Sequence, residues 1–171
     1  MYVEKRQIAV RVSQSGHDPT DGFFCLALAP APPEEAGTLL ELLNSPQRVI
    51  PLIRAEDGAV ILLTRLNVDW VMAGERVEAS LIYSMRGGTP REEPVVLHFM
   101  NGTTMDGLIL MDAAATGSRA SDFLNDSVDF YPVRTRLGTL FVNKSRVRET
   151  RLSTISPRWA TQKESSVTLE P

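Results

Sequence analysis

The sequence predicts a mainly β protein: two small barrels in tandem, each of about five short, bent strands with a short helix inserted. Three observations carry this. Short apolar or alternating runs are bounded by clusters of Gly, Pro, Asn, Asp and Ser, which is strand-and-turn patterning. An ordered set of features recurs about eighty residues apart: Leu40-Glu-Leu-Leu-Asn44 before one hairpin and Ser121-Asp-Phe-Leu-Asn125 before another. Both hairpins carry a proline on their first strand, Pro51 and Pro132, which fits an edge or a barrel corner, and a closed barrel leaves no exposed sheet edge.

The elements follow in order. Gln7-Ile-Ala-Val-Arg-Val12 alternates and is β-branched, so it reads as a strand. A turn cluster over residues 15–20 leads to a second, mostly apolar strand from Asp21-Gly22 to Leu28. The proline-rich stretch 30–37 breaks the sheet, and Thr38 is placed to cap a short helix ending at Asn44. The runs 49–53 and 59–63 form a hairpin over Asp57-Gly58, with a further short strand over 67–71. Residues 77–85 read as another strand and 86–94 as an exposed linker. The second unit starts with a hairpin over Asn101-Gly102, and Asp106-Gly107 stands where Asp21-Gly22 stands in the first. The alanine-rich stretch 113–117 replaces the proline-rich break, and Ser118 or Ser121 caps the second short helix. A hairpin over 130–142 follows, completed by 143–147. The expected organisation is a first unit over 1–85, a linker at 86–94, a second unit over 95–152 and a flexible tail over 153–171 anchored at Trp159. Units of this size are small for isolated cores, so the two are expected to pack together.

Hydrophobic residues at 43% and charged residues at 23% suit a globular core, and a net charge of −3 argues against a protein coated in phosphate-binding charge. The single cysteine, Cys25, excludes an internal disulfide or a multi-thiolate zinc site. Its apolar neighbours, Phe23-Phe24 and Leu26, suggest a small core hydrophobe. With no basic-then-apolar leader and no membrane-length apolar run, the sequence suggests a cytoplasmic protein.

Leu97-His-Phe-Met-Asn-Gly102 with Thr103-Thr-Met-Asp-Gly107 and Leu108-Ile-Leu-Met-Asp112 resembles the first Sm motif, in which two glycines flank a turn and a strand start and an aspartate follows. Val142-Asn-Lys-Ser-Arg-Val147 has the spacing of the second motif. Together with Ser121-Asp-Phe-Leu-Asn125 and Phe130-Tyr-Pro-Val133, these residues resemble a group of uncharacterised bacterial Sm-like proteins, well over 94–152 and weakly over 7–71. The resemblance implies a small-barrel fold and leaves a homo-oligomer open, since Sm-like barrels commonly form rings through strand edges that two fused barrels could satisfy internally. It does not carry over the uridine pocket: Asn143-Lys144 stands where RNA-binding members have Arg-Gly, and no asparagine follows Asp112 at the family's spacing.

Nothing in the sequence ties His17 or His98 to a nucleophile, the acidic pairs fall in loops, and no nucleotide-binding or metalloprotease motif occurs, so the expected class is non-enzymatic, with no cofactor and no metal. Asn44 and Asn125 recur in place, which a helix-terminating role explains. The feature that differs between the copies is basic. Arg134, Arg136, Lys144, Arg146, Arg148 and Arg151 crowd the second unit, and by strand parity part of one sheet surface becomes an arginine ladder. Two readings are open: a solvated face neutralised by acids elsewhere, or a contact surface. On the second reading the protein is a binding or scaffold protein whose basic face meets an acidic protein partner; the rival is a nucleic-acid binder using the same cations on phosphates.

Overall fold

The computed structural model describes residues 5–27, 37–84, 88–112, 119–125 and 128–161. The proline-rich break over 30–36, the alanine-rich break over 113–117, Ser118 as a cap and the tail beyond 161 lie outside the described residues. The chain order is β1 (Lys5–Gln14), β2 (Thr20–Ala27), α1 (Leu39–Leu43), β3 (Val49–Arg54), β4 (Val60–Thr64), a 3-10 turn (Arg65–Asn67), β5 (Val68–Ala73) and α2 (Ala79–Ile82). It continues with β6 (Arg91–Phe99), β7 (Thr104–Met111), α3 (Ala120–Leu124), β8 (Phe130–Thr135), β9 (Gly138–Asn143), a 3-10 turn (Lys144–Arg146), β10 (Val147–Leu152) and α4 (Arg158–Thr161). The second series repeats the element order of the first. The fold is mainly β.

All ten strands join one antiparallel sheet that does not close, in the order β10-β6-β7-β8-β9-β5-β1-β2-β3-β4. Its two halves have the same internal order and matching registers: Pro51 faces Leu62 in the β3–β4 hairpin as Pro132 faces Phe141 in β8–β9. The turns match as well, with Arg65 N–H donating to the Arg48 carbonyl (2.9 Å) and Lys144 N–H to that of Asp129 (2.7 Å).

Local chemistry accounts for the elements. Gly58 and Gly102 hold φ of 71° and 87°, the left-handed conformation expected of the Asp-Gly and Asn-Gly turns. Thr38 Oγ1 accepts from Glu41 N–H at 3.2 Å while Glu41 Oε2 accepts from Thr38 N–H at 3.0 Å, so a reciprocal cap starts α1. Gly22 and Gly107 permit the sharp bends: a Cβ on Gly22 would lie 2.6 Å from the Ile53 carbonyl oxygen, and one on Gly107 would lie 2.5 Å from Val133 Cγ1. The third strand of each half crosses there with only two paired positions, Gly22 and Phe23 on β2 and Leu108 and Ile109 on β7.

Two hydrophobic clusters result, and each borrows from the other half. The first, built on Ile8, Val12, Phe24, Leu39, Leu43 and Leu52, includes Phe130 and Phe141; the second, built on Leu97, Phe99, Ile109 and Val133, is packed by Trp70 and Met72. The reason is strand parity. β5 and β9 pair at the centre of the sheet with Val71 opposite Phe141, so Val71 and Phe141 face one cluster while Leu140, Val142, Trp70 and Met72 face the other. β9 is thus covered on both sides, which its unbroken Leu-Phe-Val run reflects.

Several expectations are corrected. Within 77–85, residues 79–82 are helix, because Leu81, Ile82 and Tyr83 pack onto the first cluster as a turn after β5, as α4 follows β10. β6 begins at Arg91, inside the expected linker. Ser121 lies within α3 and does not cap it; Arg119 precedes the helix and donates its N–H to Asp122 Oδ2 at 3.0 Å. Cys25 is exposed, since the inward parity of β2 belongs to Phe24 and Leu26. Residues 147–152, unassigned as a strand of their own, form β10 against β6.

Candidate binding site

The six basic residues do not share one ladder. β8 and β9 pair across Arg136 and Leu137, which keeps Arg134 near the hairpin tip, but the strand ends at Asn143. Lys144 and Arg146 lie in the 3-10 turn at the far end of that hairpin, and Arg148 and Arg151 continue on β10, which pairs with β6 instead. Four paired positions of extended strand, roughly 13 Å, separate the two groups.

Three of these six cations, Arg134, Arg146 and Arg151, are held by carboxylates. Arg134 Nε and Nη2 form a fork on Glu92 at 2.9 and 2.7 Å. Arg146 Nε donates at 3.1 Å to Asp69, which is 1% exposed and also accepts from Asn101 Nδ2 at 3.3 Å. Arg151 donates to Glu149, and this hydrogen bond, with the guanidinium's charge, draws the Glu149 carboxyl below its ordinary range. Arg136 and Arg148 are exposed, and neither enters an ion pair among the described residues. Arg146 is therefore a structural residue of the junction between the halves, because a charge removed from Asp69 would leave a buried carboxylate without its partner.

Asn143 and Asn44 belong to the same junction. Asn143 Nδ2 donates to the carbonyls of Arg65 (3.2 Å) and Val68 (2.9 Å), and its Oδ1 accepts from Ser145 N–H and Oγ, which uses both donors and both lone pairs. Asn44 donates to the Phe130 carbonyl at 3.0 Å and accepts from the N–H groups of Asp129 (3.1 Å) and Phe130 (2.8 Å). Its side chain thus seats the start of β8 and does more than end a helix. Arg65 reinforces this by pairing with Asp129 at 3.0 Å.

The surface with unspent chemistry is at the β8–β9 tip. The Arg134 guanidinium, oriented by Glu92, sits 5.5 Å from the centroid of Trp159, a cation–π contact. Trp159 is half-buried because Ser153 N–H donates to the Pro94 carbonyl (2.9 Å), which docks the segment after β10. A cleft of about 280 Å³ opens between Trp159, Met105, Asp106, Thr135, Arg136 and Leu137, and a larger hollow of about 400 Å³ continues past Trp159 along Pro94, Val96 and Ile155. Leu137 and Ile155 are 71% and 77% exposed. The sequence does not mark Glu92 and Trp159 as companions of Arg134, since strand pairing and the chain's return over β6 bring them together.

Elsewhere there is little reactive chemistry. His17 lies exposed in a turn, and His98 Nε2 is buried without a hydrogen-bond partner. Among the described residues no cluster of three His, Cys, Asp or Glu could hold a metal, and no helix is long and apolar enough to cross a membrane. In comparisons with known proteins the chain matches no family model, no curated protein and no solved structure.

Proposed function

We propose that the chain is a non-enzymatic binding and scaffold protein made of two Sm-like units in tandem. Its second unit engages an acidic segment of a protein partner at the cleft lined by Arg136, Leu137 and Trp159, the ring on which Arg134 stacks. The observation that carries this is Arg136: an exposed guanidinium, without an ion pair among the described residues, that lines a cleft together with the Trp159 ring. A carboxylate on Arg136 would form a fork, with an adjacent apolar or aromatic side chain against Trp159 and Leu137. Arginine and aromatic groups are also the residue types that concentrate binding energy. A protein partner is favoured over nucleic acid because Arg134, Arg146 and Arg151 are held by carboxylates, so few cations remain to track a phosphate backbone.

The test is a titration with a fluorescent peptide rich in Asp and Glu and carrying one aromatic residue, read by anisotropy. Binding is expected, with loss of at least about tenfold in affinity for Arg136→Glu, the scale of one charge-assisted contact reversed, and no change for Arg148→Glu. Equal effects of the two reversals would refute the site. Single-stranded RNA or duplex DNA binding at low salt that weakens steeply as salt rises would establish the rival reading.

A further inference from the structure

The hollow beside Trp159 is built twice. In the second half Pro94, Asp106, Arg136 and Ser153 line it, and in the first half Ala9, Asp21, Ala55 and Gly74 line a hollow of about 630 Å³. These are matched positions. The carbonyls of Ala9 on β1 and Pro94 on β6 accept from the N–H groups of Gly74 at 2.8 Å and Ser153 at 2.9 Å. Asp21 and Asp106 each precede the glycine at which the strand bends, and Ala55 and Arg136 are the first residues after the proline-bearing strands β3 and β8. The first hollow has a further wall, the neighbouring β8–β9 tip at Leu137, Gly138 and Thr139.

What fills the space differs between the halves. Leu81 N–H donates to the Glu78 carbonyl at 2.9 Å as Ala160 N–H donates to that of Pro157 at 2.9 Å, so Ser80 stands where Trp159 stands. Trp159 lines both hollows of the second half, and its ring parts a space that is undivided in the first. The cation that stacks on that ring has an equivalent. Arg134 is held side-on by Glu92 through Nε and Nη2 and presents its guanidinium to Trp159. Arg11 is held side-on by Asp21 through the same two atoms, at 2.7 and 2.9 Å, and among the described residues no ring stacks on it. The carboxylate occupies the edge of the guanidinium and fixes its plane, which leaves a face for a ring. Phe23, Met72 and Tyr83 give the hollow apolar walls, and Glu75 gives it a carboxylate that is exposed and in no ion pair among the described residues.

We propose that this hollow binds a small aromatic amine, its ring on the Arg11 guanidinium as Trp159 lies on Arg134, and its ammonium at Glu75. The volume suits a small molecule with most of its surface buried. An ammonium is selected over a carboxylate because Asp21 already neutralises Arg11, so Glu75 is the charge a ligand meets. Walls from β1, β2, the segment around α2 and the β8–β9 tip enclose a free molecule better than they admit a running chain segment. The site stands apart from the Arg136 cleft, which neither Arg11 nor Glu75 lines.

Tryptamine titrated into the full chain, followed by amide NMR shifts, tests this. Saturable shifts are expected at Ala9, Gly74 and Glu75, with indole-3-acetate binding at least about tenfold more weakly because its charge is the wrong sign. Arg11→Met made together with Asp21→Asn, so that no carboxylate is freed, should weaken tryptamine about fivefold, the scale of a lost cation–π contact. Glu75→Gln should bring the two ligands closer in affinity. Ser80→Trp, at an exposed position, supplies the missing ring from the chain itself and should abolish binding with an unchanged circular dichroism spectrum. Arg136→Glu should leave tryptamine binding unaltered, which separates failure of this site from failure of the acidic-partner reading. Absence of saturable shifts, equal affinity for the two ligands, or binding that survives Ser80→Trp would overturn the proposal. So would a Lys-Trp peptide that binds there when tryptamine does not, since the hollow would then belong to a partner's chain.

Discussion

Asn44→Ala is the sharpest test of how the two halves are joined. The substitution removes three hydrogen bonds at once and strands the Phe130 carbonyl and the N–H groups of Asp129 and Phe130. Each intramolecular hydrogen bond contributes about 1 kcal/mol net, and a buried group left without a partner costs more. Asn44 is half-buried, so water replaces part of the loss, and the expected destabilisation is about 2–3 kcal/mol. For a chain of this length that lowers the melting temperature by about 5–10 °C. The internal control is Asn125→Ala. Asn125 occupies the matching helix end but is exposed, so its loss should stay within about 0.5 kcal/mol. Thermal and urea melts of both variants at low concentration decide the matter. Equal losses, or an Asn44→Ala cost below about 0.5 kcal/mol, would mean that the asparagine does no more than end its helix.

Other perturbations read the same architecture. Phe141→Ala empties a fully buried site in the first cluster from a strand of the second half, and should cost about 3–5 kcal/mol while leaving one cooperative transition for the whole chain; two separated transitions would show halves that fold alone. Gly22→Ala drives a Cβ to 2.6 Å from the Ile53 carbonyl oxygen, a backbone atom that cannot turn aside, and should cost about 1–3 kcal/mol in a urea melt. Burial pushes the Tyr131 phenol above its ordinary range. Full stability therefore holds below about pH 10 and falls as pH rises beyond it, where the unfolded chain ionises and the folded one does not, a slope that Tyr131→Phe should lessen. The Asp57 carboxyl, hydrogen-bonded by Arg54 and by Ala59 N–H, should titrate at about 2, observed by NMR, and return toward its ordinary range in Arg54→Ala.

Much of the scaffold was legible because it is written locally. Thr38 with Glu41 announces a helix start, Asp57-Gly58 and Asn101-Gly102 announce turns, and the recurrence of Leu-Asn before a proline-bearing hairpin announces matched halves. What was misread depends on distant pairing. Phe23-Phe-Cys-Leu-Ala27 has no alternation, so the sequence does not say which parity faces inward, and Cys25 was placed on the wrong side. Residues 79–82 have strand-like composition, but the groove beside Phe141 favours a helical turn there. The arginine ladder failed at Lys144–Arg146, where a 3-10 turn redirects the chain to β6. The hairpins 49–64 and 130–143 have equally apolar sequences, yet one is covered and the other is not, a difference that only the rest of the molecule decides.

The polar residues at the junction explain why the sheet pairs in one register. Apolar contact alone would let β5 and β9 slide, since Val, Leu, Met and Phe on both strands tolerate exchange of neighbours. Sliding by one residue would turn Phe141 toward the wrong cluster. It would also part Arg146 from Asp69 and Asn143 from the Arg65 and Val68 carbonyls, leaving a buried charge and buried amide groups without partners. Those penalties are larger than any single apolar mismatch, because an unpaired buried charge costs several kcal/mol and a lost methylene contact about one. Asp69 is therefore the residue that makes the register costly to change: it lies on β5, its cation comes from the turn after β9, and its second donor comes from the Asn101 turn between β6 and β7. Arg146, one of the six basic residues of the second unit, is spent on this task and is a residue of the junction, not of the surface.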